Sequence, residues 1–431
     1  MKKLRKIAVF AALSSTLYFP FTSKDIQTVN SQMAKPKNVI FMIADGYSTS
    51  YATNYRIYKG KESLMDPLLV GMVKTSSASS EITDSAAAAS AYATGFKTSN
   101  GRISTSPTGE NLKTIVEAIE EEGKKSTGLV ATSNITHATP ASFASHAPAR
   151  ADEVTLAPQL IENDVDVLFG GGRKYFDDSL IDLAKQKGYH YLTSKDELNN
   201  LGAQKKVLGL FTEDKMASEL DRDLTEEPSL AEMSEKAINI LNKNKKGFFL
   251  MIEGSQIDEA GHYHDAAWAM KDIEAFEEAL SRVLKFAKKD QNTLVIVVGD
   301  HDTGGMSVGG YNKFGSNVEM LRNVIATGDY MESQLTEDRS NTSQVLKQYA
   351  DIDLTESEIT RIKSATDPSN EINSIISERS LVGWITYGHT GVDVPLYAYG
   401  PNIHSFKGLL DNTQLPKLIS KQLDLDFLSH E

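Results

Sequence analysis

Continuous apolar runs alternate along this chain with stretches whose apolar positions recur every three or four residues. Residues 38–44 (Asn-Val-Ile-Phe-Met-Ile-Ala) form such a run, as a strand buried on both faces requires. Further strands are predicted at 126–132, 165–169, 206–211, 247–252, 294–298 and 394–399. Between them, 111–122 carries Leu112, Ile115, Val116 and Ile119 at helical spacing, and 154–163, 179–187 and 229–242 also read as helices. Pro158 falls within 154–163, although proline is comfortable only in a helix's first turn. Residues 266–288 predict a long amphipathic helix with Ala269, Ile273, Phe276, Leu280 and Val283 on one face. This alternation predicts an α/β fold: a three-layer sandwich with a large central, mostly parallel sheet flanked by helices.

Residues 302–380 break the rhythm. They are polar and mainly helical, and Thr355-Glu356-Ser357-Glu358 has the capping-box pattern of a helix start. They read as an insertion within one domain over 38–431, covering the functional end of the sheet or forming a subunit contact.

At the other end of the chain, Lys2, Lys3, Arg5 and Lys6 precede an apolar run over 7–21 interrupted by Pro20. A charged segment followed by an apolar run too short for a membrane span is the pattern of an export signal. Residues 1–30 therefore read as a signal and leader, with Val29-Asn30-Ser31 the best cleavage candidate and a polar linker over 22–37. The expected location is periplasmic or extracellular.

Charge and composition narrow the chemistry. A formal net charge of −13 argues against a nucleic-acid or anionic-membrane surface, which needs a basic face. It also means that an anionic substrate would need local cations. The chain has no cysteine, so any metal must be held by His, carboxylate or hydroxyl groups.

Three predicted strands end on acids: 38–44 on Asp45, 247–252 on Glu253, and 294–299 on Asp300-His301. Ligands of open α/β sheets bind beyond the carboxyl ends of the strands. Asp258 and His262 are four residues apart, one helical turn, and His389 lies between glycines in Gly388-His389-Thr390-Gly391. Carboxylates converging on one edge repel unless cations separate them; mixed His and carboxylate donors suit zinc, and an all-oxygen set suits magnesium. Thr83-Asp84-Ser85 opens an alanine-rich helix that Gly95 would stop. Ser85 there is either a helix cap or a nucleophile facing the anion-binding end of the helix. Arg150, downstream of His137-Ala138-Thr139-Pro140, offers a bidentate fork for phosphate oxygens.

Taken together, Asp45-Gly46, Thr83-Asp84-Ser85-Ala86-Ala87, Ala138-Thr139-Pro140 with Arg150, Glu253-Gly254 through His262, Asp300-His301 and His389-Thr390-Gly391 resemble the alkaline phosphatase family, in the family's order. The resemblance runs from about Asn38 to Gly400 and is weakest over 302–380. It implies hydrolysis of phosphate monoesters by an enzyme with two zinc ions and one magnesium, usually a homodimer. It implies that Ser85 is the phosphorylated nucleophile and that Arg150 clamps the phosphate. Asp258, His262 and His389 would hold one zinc; Asp45, Asp300 and His301, with Ser85, the second. Asp45 would bridge to magnesium, with Thr139 and Glu253. Two positions depart from the best-known bacterial pattern: His137 replaces an aspartate near the magnesium, and Glu259 replaces a lysine that reaches the phosphate through water. Rival readings are a phosphodiesterase or sulfatase of the same superfamily, and a non-catalytic exported protein that binds metal or phosphate.

Overall fold

The structure, a computed structural model, describes residues 35–123 and 125–427. The expected leader over 1–30 lies outside the described residues.

Ten strands form one sheet. In chain order they are β1 (Asn38–Ala44), β2 (Leu69–Lys74), β3 (Ser126–Asn134), β4 (Val167–Gly171), β5 (Tyr189–Leu192), β6 (Lys206–Leu210), β7 (Phe248–Gly254), β8 (Thr293–Gly299), β9 (Val394–Tyr399) and β10 (Gly408–Asp411). Their order across the sheet is β10-β2-β9-β8-β1-β7-β3-β4-β6-β5, with β1 between β7 and β8. Only β9 runs antiparallel to its neighbours.

Successive residues of β1 enter two different cores. Ile40 and Met42 join one apolar cluster, while Val39, Phe41 and Ile43 join the other. Both faces are therefore covered, and the run could afford no polar alternation. The long helix over Ala266–Asp290 packs on the first face, with Ala269, Ile273, Phe276, Leu280 and Val283 fully buried. Helix Ile115–Glu122 covers the second; it starts later than its apolar spacing suggested, because Thr114 caps it in a capping box with Glu117. Helix Glu153–Glu162 tolerates Pro158 in its interior rather than in its first turn. No helix among the described residues is long and apolar enough to cross a membrane.

Residues 302–380 hold four α-helices: Gly328–Ser333, Thr342–Ala350, Glu356–Ser364 and Pro368–Ser380. The capping box at Thr355 is formed. Ile372, Ile375 and Ile376 join the same core as the long helix. Asn373 donates to the Tyr263 carbonyl at 3.0 Å and Ser377 to the His264 carbonyl at 3.2 Å. This segment thus supports the turn that carries Asp258 and His262.

Candidate active site

The centre of the sheet sets the geometry. Ala44 pairs with Gly254 on one side and Gly299 on the other, so Asp45 and Asp300 emerge side by side with Glu253 one step below. Gly46 makes the turn possible. Its φ is 74°, its N–H donates to Asp300 Oδ1 at 3.0 Å, and a Cβ there would lie 2.8 Å from the Asp258 backbone. Asp45 Oδ1, Asp300 Oδ2 and Glu253 Oε1 are buried without a hydrogen-bond partner. Burial, followed by mutual repulsion, pushes Asp45 well above the usual carboxylate range. Burial likewise lifts Glu253 and Asp300 to about 7 each.

Three imidazoles complete the cluster. The backbone of His389-Thr390 pairs antiparallel with Asp302-Thr303, which stacks the His389 ring on His301 with centroids 3.6 Å apart. Each ring gives its Nδ1–H to an oxygen: His389 to the Thr83 carbonyl at 2.9 Å, His262 to the Tyr387 carbonyl at 2.6 Å, and His301 to the Thr303 hydroxyl at 3.2 Å. The Thr303 hydroxyl in turn donates to Asp258. All three rings therefore turn Nε2 inward as an electron-pair donor.

His262 Nε2 and His389 Nε2 lie 3.2 Å apart, and Asp258 Oδ2 is 3.3 Å from His262 Nε2. Such a contact needs a proton or a metal ion within it. Burial opposes charge on His262, yet Asp258 raises it to about 9. Burial also opposes charge on Asp258, yet its bond to His262 and the three imidazoles hold it well below the ordinary range. Two groups of donors, Asp258/His262/His389 and Asp45/Asp300/His301, each bring their ligand atoms within 4.8 Å of one another. Without thiolates, these are donor sets that fit zinc or a similar ion.

Ser85 stands beside the second group. It is the first residue of helix Ser85–Thr94, whose ten residues are all buried, and it is not the cap. Asp84 is: its side chain accepts from Ala87 N–H at 3.0 Å. Ser85 Oγ is therefore free of capping and lies 3.1 Å from His301 Nε2. The other oxygen of Asp84 accepts from Arg150 at 3.2 Å.

Arg150 also donates to His137 Nε2 at 3.1 Å. Burial first, then the Arg150 charge, lowers His137 to about 3 and keeps it neutral. With Nε2 accepting, the proton sits on Nδ1, which is buried and without a partner. Thr139, in the single turn Ala138–Ala141, donates to Asp45 Oδ2 at 3.4 Å. Ser133 donates to Glu253 Oε2 at 3.4 Å. Asp45, Thr139 and Glu253 form an oxygen-only corner that suits magnesium. Glu259 follows Asp258 in helix Gln256–His262, where it meets Lys215 at 2.8 Å.

The structure brings Ser85, Asp45, Thr139, Asp258, His262, Asp300, His301 and His389 together, with Glu253 beside Asp45 and with Arg150 and His137 joined to them through Asp84, while Glu259 turns to Lys215. The pattern gave no role to Asp84, Thr303 or Lys215. Asp84 could have been found as the better cap of the two candidates, whereas Lys215 lies 44 residues from its partner.

The alkaline phosphatase family profile matches residues 36–425. The chain is 41% identical to alkaline phosphatase 3 of Bacillus subtilis (strain 168), over 98% of each chain. It belongs to the alkaline phosphatase family. Its reaction is accordingly the hydrolysis of phosphate monoesters, which sets aside the diesterase, sulfatase and non-catalytic readings. The fold agrees with that of solved alkaline phosphatases. The cold-active enzyme of a Shewanella species superposes with a TM-score of 0.85 at 34% identity, covering 89% of this chain and 99% of that one. An alkaline phosphatase variant from the Antarctic bacterium TAB5 gives a TM-score of 0.71 at 30% identity, covering 92% of this chain and all of the other. In that variant a histidine is replaced by glutamate, and magnesium is bound at its M3 site.

Proposed function

We propose that Ser85 is the nucleophile of a two-step transfer in which the phosphoryl group passes first to Ser85 and then to water. The observation that carries this is the Ser85 hydroxyl, relieved of capping by Asp84 and 3.1 Å from the inward Nε2 of His301, a member of the second donor group. The first turn of its helix adds backbone N–H groups and a positive dipole end toward the phosphate. Arg150, held by Asp84 and His137, pairs with the phosphate oxygens. Ser85 Oγ attacks phosphorus in line, the alcohol departs with a proton, and water then displaces Ser85 from the opposite side.

Two zinc ions fit the histidine groups and one magnesium fits Asp45, Thr139 and Glu253; bound there, such ions lower the pKa of the attacking hydroxyl and neutralise the leaving oxygen. Asp258, His262 and His389 would hold the ion on the leaving-group side, and Asp45, Asp300 and His301 the one beside Ser85. His137 Nδ1–H would donate to water around the magnesium rather than ligate it. The magnesium bound at the M3 site of the TAB5 histidine-to-glutamate variant is consistent with a third, magnesium-binding site here.

The substrates are small phosphomonoesters, with little demand on the alcohol. The acidic charge favours no nucleic-acid surface. Export to the periplasm or exterior and a homodimeric assembly complete the reading, with residues 302–380 as an insertion that covers the active-site end or forms a subunit contact. Rates on p-nitrophenyl phosphate, its diester and its sulfate, with and without chelator, test it. Monoester turnover should dominate and should vanish on chelation. Dominant diester or sulfate turnover would overturn it.

A further inference from the structure

We propose that Lys215 is a second phosphate-binding cation, delivered by the loop after β6 and aimed by Glu259; this builds on the phosphatase reading above. Helix Gln256–His262 brings two adjacent carboxylates to the site, and of these only Asp258 joins the imidazoles. Left bare, Glu259 would repel an arriving phosphate dianion. Lys215 Nζ instead lies 2.8 Å from Glu259 Oε2 and 5.8 Å from the centre of the Tyr263 ring.

The position of this ammonium is built into the backbone. The loop leaves the same edge of the sheet as Asp45, Glu253 and Asp300, since β6 runs parallel to β4, β4 to β3, β3 to β7 and β7 to β1. Gly172 N–H donates to the Asp214 carbonyl at 3.0 Å and Arg173 N–H to the Thr212 carbonyl at 2.9 Å. On the other side of Lys215, the buried Gln256 side chain donates to the Met216 carbonyl at 2.8 Å. The residues flanking Lys215 are thus tied to the end of β4 and to the helix that carries Asp258.

An ammonium has three N–H donors. Glu259 takes one, and the Lys215 side chain stays 42% exposed, which leaves donors for a ligand oxygen or a bridging water. The Lys215–Glu259 pair is neutral as a whole. It offers directed donors to phosphate without adding net charge that would retain the product.

The chain's lack of cysteine supplies a direct test. Lys215→Cys carries the only thiol, which can be aminoethylated to restore an ammonium or tagged with a sulfonate. Inhibition of p-nitrophenyl phosphate hydrolysis by inorganic phosphate is measured with metal content. The expected result is a roughly tenfold weaker inhibition constant in Lys215→Cys, recovery on aminoethylation, and further loss with the sulfonate. Equal constants for the three forms would overturn the proposal. Lys215→Arg, a second variant that keeps charge and reach, should stay within a few-fold of wild type; a loss as large as that of Lys215→Cys would assign the side chain to packing on Tyr263 and overturn the proposal too. A wild-type protein without monoesterase activity would instead refute the phosphatase reading on which it builds.

Discussion

Stripping the cations with a chelator should convert the site into a liability that grows with pH. Glu253 and Asp300, each raised to about 7 chiefly by burial, and Asp45, raised by burial and by the neighbouring carboxylates, keep protons in the folded chain. The unfolded chain has lost those protons by about pH 5. His262, raised to about 9, keeps a proton that an unfolded imidazole sheds near pH 6.5. A native state that binds more protons than the unfolded state loses stability as pH rises. His301 and His137 are lowered, chiefly by burial, and act in the opposite sense. Their effect fades above pH 6.5, as unfolded imidazoles lose their charge. The loss is therefore concentrated between about pH 6.5 and 9. Counting Glu253, Asp300 and His262 alone, with His262 discounted because its ring is about a third exposed, a mean difference of about one proton at about 1.4 kcal/mol per proton and pH unit gives about 2–4 kcal/mol across that window, and Asp45 adds to it in the same direction. With an unfolding entropy on the order of 0.8 kcal/mol/K for a chain of this size, Tm falls by about 3–5 °C. Calorimetry at about pH 6.5, 7.5 and 8.5 on chelated and metal-loaded protein measures this directly. The loaded protein should be nearly flat, because its carboxylates are neutralised by cations. A chelated protein whose Tm is flat or rises across the window would refute the claim that these acids are buried without compensation.

Three substitutions probe other links. Arg150→Ala should weaken phosphate binding by about 1.5–3 kcal/mol, the range for a charged hydrogen bond, while metal content holds; an unchanged phosphate inhibition constant would remove Arg150 from the site. His137→Asp should lower the magnesium needed for full activity, since a hard oxygen then replaces a buried, unpartnered Nδ1–H; identical magnesium titrations of the two proteins would show that His137 has no part there. Ser377 donates to the His264 carbonyl and accepts from Trp384 Nε1 at 3.0 Å. Ser377→Ala should therefore cost about 1–3 kcal/mol of stability in denaturant unfolding, and full stability would mean that 302–380 does not support the His262 turn as described.

The strands that hold the site were legible because burial on both faces leaves a continuous apolar signature. Those missed lack it. β2 is half-exposed along most of its length, β10 has Gly408 and Leu409 exposed, and β5 has only four residues, with its ends alone fully buried. Helix Thr49–Lys59 was hidden for another reason: its buried face is built from Tyr51, Tyr55 and Tyr58, with the Tyr55 hydroxyl bound to Glu277 at 2.9 Å. Tyrosine on a helix face gives a weak periodic signal. Most acids and histidines of the site were legible because they follow strand ends or fall one helical turn apart, and His389 because it sits in a glycine-flanked loop. The pairing of Lys215 with Glu259, and of Thr303 with Asp258, was not, since partners so distant in sequence leave no local pattern.

The central claim is that Ser85 itself carries the phosphoryl group. Incubating the enzyme with inorganic phosphate in mildly acidic buffer, quenching in acid and analysing the tryptic fragment over residues 75–97 by fragmentation mass spectrometry tests it most directly. One phosphoryl group should map to Ser85 in the wild type and to no residue in Ser85→Ala, whose turnover should fall by orders of magnitude with its metals retained. A phosphoryl group on a different residue, or wild-type turnover in Ser85→Ala, would contradict the account.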